Sequence, residues 1–364
     1  MRIAYMPDTH FGSYDDPTDP GPAAVADAMQ HCLDEAVLAE KVGFDGIWVP
    51  ERHQRSETWW PNTTTLLAAL ASRTEKVQIA CTVMQPTFHH PIHLAESLAA
   101  VDNLSRGRLV FGAGVGYHED YFRCFGVPFE SRGERFEEVM ACIIGAWTEE
   151  EFSYDGKYFQ YEGVKLTPKP FQRPRPPIWI GAFAPKAMRR ALQYEGWCNW
   201  FPPHVEELGP AVRSMREKAE ALGKKDFSIT LGYEGWLGDE PDLREKHGHR
   251  WVREWSFYAN QGLSPDVDGE RMLDDIENMV WAISQPDGNI AKVFADMNKA
   301  PRDKRRKKEE PPPLDGPPPP IEWLPIFEEN ELLVVDQKGV KTPIVTYSTY
   351  DYRELSPVSF HLSR

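Results

Sequence analysis

Cysteine is scarce in this chain: five in 364 residues, at positions 32, 81, 124, 142 and 198, with no CxxC pair among them. That spacing supplies neither a disulfide framework nor a zinc site, and the five read as reduced thiols of a cytoplasmic protein. No apolar run reaches 18 residues, and the opening MRIAYMPDT reads as a short strand with no charged and apolar leader before it. Export and membrane insertion are therefore not expected. Positive charge is also in deficit, with 41 Lys and Arg against 56 Asp and Glu and a formal net charge of −15. That balance argues against a general nucleic-acid or anionic-membrane surface, although a local basic funnel could still hold a phosphate. Several catalytic signatures are missing: HExxH, the G-x-S-x-G nucleophile elbow, and the paired-acid spacing of glycoside hydrolysis. His89, His90 and His93 do not replace a metal motif, because adjacent histidines point apart and Pro91 separates them from His93.

What is present is a long alternation of strands and helices. Residues 2–6 read as a strand, followed by a polar loop from Asp8 to Pro22, the amphipathic helix Ala24–Val42 closed by Gly43, and strand Phe44–Val49. Helix Asn62–Thr74, with Asn62 as its cap, precedes strand Val77–Thr82, and helix Ile92–Leu104 precedes strand Leu109–Ala113. The latter is short and apolar on both faces, as a strand beneath helices in a parallel sheet should be. Helix Arg132–Trp147 follows. The segment Phe152–Pro177 then breaks the rhythm, with YDGKYFQYEG suggesting a hairpin on an Asp-Gly turn and KPFQRPRPP a rigid approach. The alternation resumes with strand Pro177–Ile180, helix Pro185–Tyr194, strand Trp197–Phe201, helix Val205–Leu222 and strand Phe227–Leu231. Seven such units favour a TIM (β/α)8 barrel of the α/β class, with an insertion before strand five. A Rossmann sheet would want its glycines directly after the first strand; here they follow the fourth.

The last third departs from this pattern. Trp251–Asn260 and Met272–Ile283 look helical, whereas KRRKKEEPPPLDGPPPP within 301–320 cannot form a packed core and reads as a basic, proline-rich linker. The expected division is a barrel over 1–300, a linker over 301–320 and a tail over 321–364. The tail holds two strand candidates, Leu332–Val335 and Ile344–Tyr347, and could supply a closing or intersubunit strand.

Barrel enzymes place their chemistry at the C-terminal ends of the strands. Those ends gather Asp8, Thr9 and His10; Glu51, Arg52 and His53; Thr82, Val83 and Met84; Gly114, Gly116, Tyr117 and His118; and Gly181, Ala182 and Phe183. His10 and His53 are either buried hydrogen-bonding histidines or functional groups that donate to an oxygen of a bound ring or protonate it. Glycines at 112, 114 and 116 clear alternate positions of a strand end, which permits close approach of a flat ring. Tyr117, His118, Glu119 and Asp120 add stacking and proton-handling capacity just beyond. Near Gly181, the helix beginning at Pro185 offers backbone amides to a phosphate, and Arg189 or Arg190 could lean toward it or neutralise nearby acids.

Four runs carry a family resemblance: GFDGIWVPERH at 43–53, HPIHLAESLAAVDNLSRGRLVFGAGVGYHEDYF from His90, FGVPFESRGERFEE from Phe125, and LTPKPFQRPRPPIWIGAFAPKAMRRA from Leu166. Through them the chain resembles the bacterial-luciferase-like flavin-dependent monooxygenases and oxidoreductases, over residues 1–231. The resemblance implies a TIM barrel, a homodimer and an insertion over 150–177. It also implies reduced FMN, supplied by a separate reductase, whose isoalloxazine lies against Thr82, Val83, Gly114, Gly116 and Tyr117. The flavin phosphate would sit at Gly181, Ala182, Phe183 and Ala184. Ala184 stands where many members carry serine, and Gln54 where many carry a second histidine.

The implied chemistry is reaction of reduced FMN with O₂ to a C4a-peroxyflavin that oxygenates a small organic substrate, with His10, His53, Tyr117 and His118 as candidate catalytic groups. The family's deazaflavin branch instead transfers hydride using coenzyme F420. A barrel that keeps the fold but acts as a binding or accessory protein is the third alternative.

Overall fold

The computed structural model describes residues 2–7, 9, 21–53, 58–200, 205–235, 252, 271–273 and four strands between 324 and 363. His10, the basic run at 304–308 and nearly all of the two helices expected at 251–260 and 272–283 lie outside the described residues.

The chain runs β1 (Arg2–Met6), α1 (Gly21–Val42), β2 (Gly46–Val49), α2 (Thr63–Arg73), β3 (Gln78–Cys81), α3 (Pro91–Leu104), β4 (Leu109–Gly114), α4 (Glu119–Cys124) and α5 (Arg132–Thr148). The insertion forms β5 (Phe152–Asp155) and β6 (Gln160–Val164). It is followed by β7 (Ile178–Gly181), α6 (Pro185–Ala191), β8 (Gly196–Trp200), α7 (Val205–Ala221) and β9 (Ser228–Gly235). Near the end come β10 (Leu324–Glu328), β11 (Glu331–Val335), β12 (Lys341–Val345) and β13 (Val358–Ser363).

Eight strands close a barrel in the order β1-β13-β9-β8-β7-β4-β3-β2. Seven follow one another around it as the sequence pattern requires. The eighth, β13, runs antiparallel to β1, with Arg2 opposite Ser363 and Met6 opposite Ser359. The TIM-barrel class therefore holds, with a closing strand drawn from within the 321–364 tail. Neither tail candidate closes it: Leu332–Val335 lies within β11, and 344–345 ends β12, in an antiparallel three-stranded sheet with β10. That sheet belongs to a second compact unit, distinct from the unit containing the barrel.

Local chemistry sets most boundaries. The Asn62 side chain accepts from the Thr65 amide, so α2 starts one residue after its cap. Pro91 opens α3 at its first position, where a missing amide costs nothing. The barrel interior packs Ala4, Met6, Trp48, Ala80, Val110, Trp179 and Cys198, with Trp48 and Trp179 edge to face at 5.4 Å. At the other end of the strands Arg108 fastens β4 to α2. Its guanidinium donates to Ser105 O, Thr74 Oγ1, Val77 O, Ala71 O and Thr74 O.

Glu40 on α1 performs a similar anchoring role for β3. Its carboxylate accepts from the amides of Glu75, Lys76 and Val77 at 2.8–3.1 Å. Partial burial pushes its pKa up, but these three amides and Arg108 outweigh that and leave it below the ordinary carboxylate value of 4.5. A depressed folded-state pKa adds stability above the unfolded value, and that stability is lost as pH falls through the folded one. Glu40→Gln is accordingly expected to lower stability at neutral pH and to flatten the loss on acidification below about pH 4.5, read by urea denaturation across pH.

The insertion is a hairpin, with Asp155 opposite Gln160 and Gly156 N donating to Phe159 O. Glu138 of α5 receives the turn amides of Lys157, Tyr158 and Phe159. His90, at the cap of α3, faces the Tyr161 hydroxyl at 3.3 Å and so links the start of that helix to the hairpin.

Candidate functional site

The C-terminal end of β2 leads directly into Glu51, Arg52 and His53, and the end of β3 into Thr82–His89. These two connections meet around one carboxylate. The Glu51 side chain is 1% exposed. Its Oε2 accepts the Gln85 amide, and its Oε1 faces His89 Nε2 at 3.1 Å and His53 Nε2 at 3.7 Å. Burial pushes the Glu51 pKa up, but the two imidazoles facing it outweigh the desolvation and leave it below the ordinary carboxylate range.

His53 is walled by aromatic edges. Phe125, Phe88 and Tyr121 lie T-shaped to its ring at 4.8, 5.8 and 5.9 Å between centroids. Phe125 in turn stacks on Phe88 at 4.8 Å. His118, at the cap of α4, stacks on the other side of the group against Tyr121, with 4.5 Å between centroids and 11° between planes. Tyr121 therefore touches both predicted histidines. Tyr117 is 39% exposed and contacts His118 edge-on.

The predicted cofactor positions form a second group around Val83. The Thr82–Val83 peptide is cis. Beyond it the chain rejoins β4, with Met84 N donating to Gly112 O and Gly114 N to Met84 O. A Cβ placed on Gly114 or on Gly181 would lie 2.7 Å from Val83 Cγ2. The space that these glycines clear is thus taken up by the Val83 side chain, which packs over both strand ends. Gly116 has φ +89°, and a Cβ there would meet Phe122 and Gln85 Oε1. Its glycine is required by backbone conformation and by close packing together.

At the fifth barrel strand, Ala182 N donates to Cys198 O and Trp197 Nε1 to Ala182 O, so this residue's amide is already committed. Phe183 is 54% exposed and Ala184, the cap of α6, is also exposed. Arg190 turns away to Glu137 on α5 at 2.5 Å and lies over the Phe136 ring, so it neutralises an acid and does not reach a phosphate.

Several buried side-chain oxygens lack a hydrogen-bond partner within the protein: Thr82 Oγ1, Gln85 Oε1 and Thr230 Oγ1. Thr230 is in register with Cys198, whose side chain lies in the barrel interior, so strand alternation turns it to the same face. Unsatisfied groups of this kind at a barrel mouth suit a flat ligand bearing ring oxygens and nitrogens. The residues present therefore fit a flavin-type cofactor. Thiolate chemistry has no support at Cys81 or Cys198, whose thiols burial pushes well above the ordinary range. Among the described residues no cluster of three or more His, Cys, Asp or Glu could hold a metal, and no helix is long and apolar enough to cross a membrane.

Glu51 was one of several strand-end acids in the sequence, and nothing in the spacing singled it out. Its partners Gln85 and His89 lie 34 and 38 residues away, beyond any local pattern. Phe88, Tyr121 and Phe125 were equally unmarked.

An acid–imidazole group and unpaired polar atoms thus share the C-terminal ends of the barrel strands, the face on which barrel enzymes build their sites. The chain belongs to the luciferase-like monooxygenase family, whose profile matches residues 3–274. It is 33% identical over 199 residues to the oxygenase component of the flavin-dependent trigonelline monooxygenase of Acinetobacter baylyi, covering 53% of this chain and 55% of that one. It is 30% identical over 285 residues to an F420-dependent glucose-6-phosphate dehydrogenase of Amycolatopsis mediterranei, covering 72% and 83% respectively. The match thus spans about half the length of the trigonelline enzyme. The monooxygenase RslO1 from Streptomyces bottropensis has a similar structure, with TM-score 0.61, 27% identity, and coverage of 76% of this chain and 85% of that one. These relatives include a flavin-dependent monooxygenase and an F420-dependent dehydrogenase, which supports a luciferase-like oxidoreductase with a flavin-type cofactor.

Proposed function

We propose that the protein is the oxygenase of a two-component system, which takes reduced FMN from a separate reductase and uses O₂ to oxygenate a small organic substrate. The observation that carries this reading is the His53–Glu51 pair enclosed by Phe88, Tyr121 and Phe125, an acid–base group held against an apolar, aromatic wall. Such a wall excludes water from a reactive centre while leaving one imidazole able to move a proton.

Thr82, Val83, Gly114, Gly116 and Tyr117 would hold the ring end of the cofactor, and Gly181–Ala184 the phosphate end. With the Ala182 amide engaged by Cys198 O, phosphate contacts would fall to Phe183 and Ala184. Bound reduced FMN would supply the electrons that activate O₂. The chain's own residues would fix the ring, exclude water and handle protons through His53, with His118 held against Tyr121 beside it.

The F420-dependent hydride-transfer reading is the second candidate, favoured by the relative that matches 72% of this chain. An anaerobic titration with reduced FMN and with reduced F420, followed by exposure to ¹⁸O₂ with a panel of aromatic and aliphatic substrates, separates them. The expected result is micromolar binding of reduced FMN and ¹⁸O in the product. Binding of F420 alone would select hydride transfer, and binding of neither would leave the barrel as an accessory protein.

A further inference from the structure

The carboxylate at the centre of the site reaches both histidines through the same ring atom. Glu51 Oε1 faces Nε2 of His89 at 3.1 Å and Nε2 of His53 at 3.7 Å, while Glu51 Oε2 is fixed by the Gln85 amide. A carboxylate with its side chain 1% exposed cannot draw compensation from water, so the groups facing it must present hydrogen to it. In a neutral imidazole one nitrogen carries the hydrogen and the other the lone pair, and the partner of one nitrogen decides the state of the other. An Nε2 that faces a buried carboxylate is thereby held as N–H.

From this arrangement we infer that Glu51 sets His53 in its Nε2–H form and leaves Nδ1 as a proton acceptor, with His89 as the positioning residue that clamps Glu51. The same division of labour operates in Ser-His-Asp sites, where a buried acid orients the imidazole and stabilises its protonated form. His53 is then a base toward the ligand and not the hydrogen-bond donor that its strand-end position first suggested. The edges of Phe88, Tyr121 and Phe125 confine the ring and limit its rotation. The His53–Glu51 separation is just beyond hydrogen-bond length, a gap that commonly tightens when a site is loaded.

The inference rests on the oxygenase reading for its substrate: an organic molecule with an acidic O–H or N–H, whose conjugate base is the electron-rich form that is oxygenated. In that step the O–H or N–H bond breaks and its electron pair stays on the substrate. The proton is taken up at His53 Nδ1, and the imidazolium formed is countered by the Glu51 carboxylate.

The test is ¹H–¹⁵N NMR of the ligand-free protein labelled with ¹⁵N-histidine, with His53 and His89 assigned through His53→Gln and His89→Gln. Long-range couplings distinguish the two neutral forms. Expected are Nε2–H signals for both residues, and for Glu51→Gln a shift of His53 toward a mixture of the two forms. A wild-type spectrum with His53 as Nδ1–H overturns the inference, and this measurement decides even if Glu51→Gln does not fold. Kinetically, Glu51→Gln should lower kcat/KM for an acidic substrate by on the order of 10²-fold or more. A substrate lacking the acidic hydrogen, or supplied already ionised, should lose much less. Equal losses on both substrates would also overturn the inference. If no substrate is oxygenated yet His53 is Nε2–H and shifts in Glu51→Gln, the oxygenase reading fails and the Glu51–His53 arrangement stands.

Discussion

Gly112→Ala is expected to cost the barrel about 4 kcal/mol or more, enough to leave little soluble protein. A Cβ built on Gly112 lies 1.8 Å from the carbonyl oxygen of Cys81 and 3.0 Å from its carbonyl carbon. Those atoms are backbone of the neighbouring strand, paired in register through Ile79–Leu109 and Ala80–Val110. A flexible side chain could swing aside, whereas here two strands would have to part. If folded protein is recovered, its Tm should fall by roughly 8–16 °C for a unit of this size. Gly133→Ala, in the first turn of α5 with nothing within 4 Å of the added carbon, is the control and should be neutral or slightly stabilising. A Gly112→Ala protein melting like wild type would show that the β3–β4 contact is looser than described.

The second large effect concerns chemistry. His53→Ala should lower kcat/KM by about 10²–10⁴, the range for removing a positioned acid–base group. Affinity for the reduced cofactor should remain close to wild type, because the predicted ring and phosphate contacts come from Val83, the β4 end and the 181–184 turn. Steady-state kinetics beside an anaerobic binding titration separates the two effects. Parallel falls in turnover and cofactor affinity would make His53 a support for the cofactor, not a proton-handling group. Removing His53 also withdraws an imidazole from buried Glu51, so a folding control by circular dichroism belongs with the kinetics.

The barrel was legible because its evidence is local and repeated. Each strand is a short apolar run, each helix has a three-to-four-residue apolar stripe, and Asn62 and Pro91 mark two helix starts by their own chemistry. Even the insertion announced itself through its Asp-Gly turn. Legibility failed where a decision depends on distant partners. Six-residue α4 reads as loop because its aromatic residues gain order only by packing on Phe88 and His53. Helix α6 stops at Ala191, three residues before its expected end, with Gln193 and Tyr194 turning on shorter-range bonds to Arg190 and Ala191.

The site followed the same division. The strand ends pointed to His53, His118 and the glycines, since barrel topology delivers those positions to one rim. Val83 was placed among the cofactor contacts, but its packing over the paired Gly114 and Gly181 depends on how the segment after β3 folds back along β4. Glu51 needed the β3–α3 connection to bring His89 and Gln85 to it. The same difficulty hid the closing strand: VSFHLS has unremarkable strand character, and only its pairing with β1 gives it a role.

That pairing has a consequence for how the protein is made. Strand β1 leaves the ribosome before every other barrel strand, yet one of its two barrel neighbours spans Val358–Ser363. About 120 residues separate the end of β9 from the start of β13, and at typical rates of about 5–20 residues per second they take roughly 6–25 s to translate. Throughout that interval β1 and β9 present the two open edges of an unfinished sheet to the cell. The nascent chain should therefore depend on a chaperone able to shield strand edges, and a stall late in translation would release a protein with its barrel unsealed.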